Sequence, residues 1–282
     1  MIFHYGYILP NIITTGGTIT YSSGRIFHTF TGDGTFTITR GAPVVEIMAI
    51  GGGGGGGAGA GGGGGGAGNM IVATGTLSAG TYSVVVGNGG VGAEYYAVLP
   101  GNGDSSTFGT ILTAYGGGGG GSFGISAALS GGCGGGASSG DGSGYFNTAG
   151  SGVVGLVSSP LSASSNLATN GGAGWDEFSV GGAGGGGTSA AGDSQTSAAS
   201  AGRDGGAGTL YRGHTTVVAA AEQSLRVRLM DRHMAAVQVV WVAVVWVKAL
   251  NSLRPPLQAR QTRAVAEVRP LTVWENRADR VL

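Results

Sequence analysis

A chain of 282 residues with 64 glycines and only 10% charged residues has too few large side chains to fill a core of matching size and too few charges to stay open as a solvated coil. Its formal charge is zero, yet residues up to Gly213 carry four basic groups against nine acidic ones, and those from His214 onward carry ten against five. The glycine-rich body is mildly acidic and holds no lysine, which argues against nucleic acid as a partner, because phosphate binding rests on clustered Lys and Arg.

Residues 1–11 read as an N-terminal segment. Met1-Ile2-Phe3-His4-Tyr5 lacks the basic and then apolar run of a secretory signal, and residues 2–10 are expected to serve as an attachment segment. Strands are predicted at 18–21, 25–31, 35–39 and 44–50. Phe36 and Ile38 alternate with threonines, the pattern of a half-buried antiparallel strand. Gly32-Asp33-Gly34 carries a tight hairpin signal that would join two of these strands in a meander. Strand signals resume at 69–73, 81–86 and 110–115, with turns expected at Ala79-Gly80 and Asn88-Gly89-Gly90. About seven short strands predict an all-β chain, a small antiparallel β-sandwich or jelly roll.

Two of the strands run straight into glycine tracts, at 51–57 and 116–121, and further tracts follow at 61–66, 131–136, 171–174 and 181–187. One reading is a flexible linker, since Gly/Ser chains behave as coils. The other is a lattice of extended polyproline II-type helices, here polyglycine II, in which the absence of Cβ lets neighbouring backbones bond to one another. Ordering glycine costs roughly 1–2 kcal/mol per residue, while each bond nets only about 1 kcal/mol, so a single tract would fray. Several tracts anchored on a β-domain meet the condition for order. The expected organisation is residues 1–11, a β-domain at 12–115 with an inserted glycine tract at 51–68, a polyglycine II region with loops at 116–213, and a tail at 214–282.

The series Thr15-Gly16-Gly17-Thr18-Ile19-Thr20, then Ile26-Phe27-His28-Thr29-Phe30-Thr31-Gly32-Asp33-Gly34-Thr35-Phe36-Thr37-Ile38, then Val45-Glu46-Ile47 running into Gly51, resembles the glycine-rich domain family of phage tail-fibre and tail-tip proteins. Asp104-Ser105-Ser106-Thr107-Phe108-Gly109 with Leu112-Thr113-Ala114-Tyr115-Gly116 resembles its later part, and the likeness covers roughly residues 12–212. The resemblance implies a β-domain carrying polyglycine II layers. It also implies loops between the glycine helices that contact a bacterial surface receptor, an outer-membrane protein or a glycan, alongside other tail-fibre proteins. Such a protein is expected in the virion tail, or alternatively outside a cell or on its surface. Members of this family close with a strand after the last glycine tract, and no such strand is predicted after Gly187.

No glycine occurs after Gly213, and three of the four tryptophans fall there. Residues 235–250 are rich in Val, Ala and Trp but are interrupted by Gln238 and Lys248 and are short of the roughly 20 residues a spanning helix needs, so no membrane span is expected. The genetic code offers another origin. Trp241-Val242 and Trp246-Val247 necessarily contain GGT, a glycine codon, out of frame, and the Val/Ala/Glu runs at 217–222 and 264–268 read as glycine in the same shifted frame wherever the preceding base is G. The tail reads as a frameshifted translation of a glycine-rich sequence.

Catalytic chemistry finds no footing. A P-loop needs a lysine that the body lacks, and a dinucleotide fold needs strand–helix alternation. Cys133 is the only cysteine, so neither an intrachain disulfide nor a Cys-based zinc site is expected. His4, His28, His214 and His233 are too scattered for a ligand set, and no metal or cofactor is expected. Asp176 and Glu177 could pair for acid–base work, but adjacent carboxylates in a glycine-flanked loop are read as solvated. The candidate contact residues are aromatic clusters stranded among glycines: Tyr95-Tyr96, Tyr145-Phe146 and Trp175-Asp176-Glu177-Phe178. Aromatics in loops give rigid contact area at low entropy cost, while the competing reading is a local apolar cap on the lattice edge. The expected function is a non-catalytic structural and adhesive tail component, the alternative a surface-coat protein without a specific receptor.

Overall fold

The computed structural model describes residues 12–22, 25–59, 61–94, 97–139, 148–175, 181–196, 201–211, 214–215 and 243–248. Among them lie fourteen strands and no helix, so no helix is long and apolar enough to cross a membrane. The strands are β1 (Ile13–Thr15), β2 (Thr18–Ser22), β3 (Arg25–Phe30), β4 (Gly34–Arg40), β5 (Val44–Ile50), β6 (Met70–Thr76), β7 (Gly80–Val85), β8 (Ser106–Phe108), β9 (Leu112–Ala114), β10 (Leu156–Val157), β11 (Leu161–Leu167), β12 (Leu210–Tyr211), β13 (His214–Thr215) and β14 (Ala243–Lys248).

Two six-stranded sheets run in the orders β1-β4-β7-β8-β9-β10 and β11-β6-β5-β14-β3-β2, and β12 pairs with β13 alone. Every pairing is antiparallel. Both sheets feed one core: Phe36, Ile38, Val84, Phe108 and Leu112 from the first, Phe30, Val45, Ile47, Ile71 and Leu161 from the second. Phe36, Tyr82 and Phe108 form an aromatic cluster in it, with the rings of Tyr82 and Phe108 stacked at 5.3 Å between centroids.

β5 and β6 are nearly continuous apolar runs rather than alternating ones, the signature of burial on both faces. Val45, Ile47, Ala49, Ile71 and Ala73 face the shared core. Met48, Ile50, Met70 and Val72 face the other way and pack with Ala67 and Cys133 of the glycine tracts. This second cluster is the footing of the glycine region on the sheet. The Cys133 thiol is fully buried there, and desolvation pushes its pKa up.

Two expectations about connections are corrected. Gly32-Asp33-Gly34 does not close a hairpin: β3 pairs with β2 and β14, whereas β4 pairs with β1 and β7 in the other sheet. The apolar alternation in β4 directs Phe36 and Ile38 into the core from the opposite sheet to Phe30, so the turn carries the chain between sheets. Asp33 holds it there by accepting a hydrogen bond from the Val86 amide at 2.9 Å. Asn88-Gly89-Gly90 is not a turn either. Gly90 N donates to Gly53 O and Asp104 N to Asn88 O, which makes the segment one more rod of the glycine region.

A third correction concerns the end of the chain. Strands do follow Gly187, and β14 lies between β3 and β5 in the second sheet. Its sequence, Ala-Val-Val-Trp-Val-Lys, is β-branched and aromatic, the composition that suits a strand.

Candidate functional site

The glycine tracts bond to one another at every third residue, the period of a helix with about three residues per turn. Gly51, Gly54 and Gly57 donate to Asn69, Gly66 and Gly63, which fixes the tract at 51–57 antiparallel to the one at 61–69. Gly63, Gly66 and Asn69 donate in turn to Gly121, Gly118 and Tyr115. Gly52 and Gly55 donate to Asp104 and Gly101, while Gly53 and Gly56 accept from Gly90 and Ala93. Successive residues of one tract thus serve three different neighbours, and the tracts form a lattice.

Glycine is required there by space. None of these tract residues has a left-handed φ, yet a Cβ on Gly63 would lie 1.9 Å from Gly136 O and one on Gly182 would lie 1.9 Å from Gly62 O. Polar side chains fasten the root of the lattice to the sheets. Ser106 Oγ donates to Ile50 O at 2.6 Å, and the fully buried Asn69 donates to Asn166 Oδ1 and Leu167 O while accepting from Gly155 N.

The register has a geometric consequence. Tracts at 51–57, 87–93, 115–121, 131–137, 169–173 and 191–195 run away from the sheets, and those at 61–69, 98–104, 127–130, 148–153, 181–187 and 201–207 return. Every crossing from an outgoing to a returning rod therefore falls at one far end. Ala93 N bonds to Gly56 O, Phe123 N to Ala58 O, Ala58 N to Ser122 Oγ, and Ser139 N to Gly61 O. Ser139 Oγ also bonds to Gly181 O, and Gly181 approaches Ala201 O so closely that a Cβ would sit at 2.0 Å.

Of the predicted contact residues only Trp175 is among the described ones. Tyr95, Tyr96, Tyr145, Phe146, Asp176, Glu177 and Phe178 lie outside the described residues, but the rods that carry them, ending at Glu94, Ser139 and Trp175, belong to the same end. Trp175 is half-buried, and its indole N–H is shielded from solvent without a hydrogen-bond partner. It therefore is not a fully exposed side chain. Phe123, on the tight crossing Ser122–Ser126, belongs to the same end and was missed, because a lone aromatic between serine and glycine gives no cluster signal. Exposed Val91 and Leu99 stand on the flanking rods.

Over residues 94–97, 122–126, 140–147 and 175–180 the sequence supplies Glu94, Asp141, Asp176 and Glu177 and no Lys or Arg, while Arg203 stands beside Gly182 at the start of the last returning rod. Among the described residues no group of three or more His, Cys, Asp or Glu lies together. What the described residues offer is a hydrogen-bonded lattice with Glu94, Phe123 and Trp175 toward the end remote from the sheets.

A three-residue-period lattice rooted on two antiparallel sheets defines a glycine-lattice β-protein. The model of the glycine-rich domain family matches residues 29–225, more than two thirds of the chain, and the chain belongs to that family. No curated protein and no solved structure matches it.

Proposed function

We propose that this chain is a non-catalytic structural and adhesive component of a phage tail fibre or tail tip, whose loops attach the particle to a bacterial surface receptor, an outer-membrane protein or a glycan. The observation that carries the reading is the convergence of the loop crossings at the lattice end remote from the sheets. A rod lattice whose backbone is bonded to its neighbours leaves the loops as the variable part, and aromatic loops on a rigid support lose little entropy on binding. The acidic balance of that end favours a neutral or basic receptor patch over a phosphate-rich one. Its place is the virion tail, beside other fibre proteins.

The test is binding of the purified full chain to a panel of intact bacterial cells, compared with the variants Tyr95→Ala/Tyr96→Ala, Phe123→Ala and Trp175→Ala/Phe178→Ala. Loss of at least about tenfold in affinity in one of the loop variants, with an unchanged far-UV spectrum, is expected. Equal binding by all of them would remove the adhesive role and leave the surface-coat reading, which the half-buried Trp175 favours.

A further inference from the structure

We propose that the remote ends of the last four rods form a site for the neutral sugars of a surface glycan, with Arg203 as its anchor. The inference rests on the adhesive reading above and chooses between its two receptors. Three hydrogen bonds bring these rod ends to one level. Gln195 N donates to Ala173 O and Arg203 N to Gly182 O, each at 2.9 Å, and Arg203 Nε donates to Gln195 Oε1. Gln195 is only 2% exposed, so the amide that holds the guanidinium is itself fixed by packing. The bond uses Nε alone, and among the described residues the two Nη groups have no hydrogen-bond or ion-pair partner. Arg203 is half-buried, and it is the only basic residue between Arg40 and Arg212. A planar fork of N–H donors held from behind loses little rotamer freedom when a ligand accepts from it.

The groups around the fork select the ligand. Asp204 follows Arg203 in the chain, and Asp193 N donates to Asp204 O at 3.0 Å, so two exposed acids lie at one level on adjoining rods beside the arginine. Asp193 is two residues before Gln195, about 6 Å along the rod. One cation against two carboxylates leaves the site net negative, which disfavours a phosphate or a carboxylated sugar. A basic protein patch would answer the acids but set a like charge against the Arg203 fork. Vicinal hydroxyls of a neutral sugar serve both signs, because each hydroxyl donates and accepts: one accepts from Nη while its neighbour donates to a carboxylate. Trp175, two residues past Ala173 at the same end, is half-buried and so keeps part of an aromatic surface for the C–H side of a sugar ring, and its indole N–H has no partner.

The purified full chain is bound to a panel of intact bacterial cells before and after two treatments: periodate, which cleaves the carbon–carbon bond of vicinal diols in sugars, and protease, which strips surface proteins. Periodate and Arg203→Ala are each expected to lower binding at least about tenfold. Arg203→Lys, which keeps the charge without the fork, should lower it too and carries the test if Arg203→Ala does not fold. Protease treatment, and Arg40→Ala at the sheet end, should leave binding unchanged. Binding should also hold between about 0.05 and 0.5 M salt, because a neutral ligand brings no charge to screen. Binding that survives periodate and is lost to protease overturns the glycan while the adhesive reading stands. Periodate-sensitive binding that neither Arg203 variant alters overturns the site, and a steep decline with salt overturns the neutral ligand. Absence of binding to every cell in the panel removes the adhesive reading and this inference together.

Discussion

The amide of Gly66 donates to the carbonyl of Gly118 at 2.8 Å, a bond between two tracts that are distant in sequence and that no side chain helps to bring together. Bonds of this kind hold the lattice only while the rods approach without a Cβ between them.

Neighbouring glycines of one tract should therefore respond oppositely to alanine. A Cβ on Gly55 would lie 1.9 Å from Val91 O, whereas one on Gly56 would meet nothing within 4 Å. Gly55→Ala must push the rod at 87–93 away and is expected to cost about 3 kcal/mol, at the upper end of overpacking. Gly56→Ala is expected to be neutral or to stabilise by about 0.5 kcal/mol, because alanine restricts the unfolded chain. Urea midpoints of the two variants decide it, and equal costs would show that the rods are not in contact.

Some of this was legible in the residues and some was not, for reasons that are physical. The alternation of Phe36 and Ile38 and the doubly buried runs of β5 and β6 declare strands locally. The three-residue repeat follows from polyglycine itself. Strand order does not, because a Gly-Asp-Gly turn joins strands within a sheet or between sheets depending on which face the next apolar residues seek. Asn69 looks like an ordinary polar residue before a strand, and only the distant Gly155, Asn166 and Leu167 make it a buried bolt. The aromatic residues were visible as compositional islands, but which glycine rods lie side by side needed the bonding register between them.

His28 adds a dependence on pH. The ring is fully buried, donates from Nδ1 to Gly16 O at 2.8 Å and accepts at Nε2 from the Thr14 hydroxyl at 2.9 Å, with its edge toward Phe36. It thereby ties β3 of one sheet to the β1 end of the other. Desolvation lowers its pKa below the ordinary 6.5, opposed by the bond to Gly16. In the window between the ordinary value and the lower folded one the unfolded chain binds the proton and the folded chain does not, so stability falls as pH falls. The contribution is whole above the ordinary value and is lost through the folded pKa. Denaturant midpoints of the wild type should decline from pH 7.5 to 5.5 more steeply than those of His28→Gln, and parallel curves would show that His28 is not the group responsible.

β14 poses the sharpest test, because its register argues both ways. Val245 stands opposite the buried His28 and Ile47 and Val247 opposite the buried Val45, as a native strand would require, while Lys248 falls opposite Arg25 in the register, a position where two bases are a poor choice of sequence. A frameshifted tail would have no selected reason to fill the gap. Val245→Pro removes a backbone donor from the centre of the strand and is expected to lower stability by about 3 kcal/mol. The same substitution at Val265, outside the described residues, serves as the comparison. Amide exchange of Thr29 and Ile47, which flank the gap, should accelerate in the Val245→Pro chain and stay slow in the Val265→Pro chain. If both variants exchange and unfold like the wild type, β14 contributes nothing to the sheet, and the nucleotide sequence over residues 214–282 should then open into glycine codons in another frame.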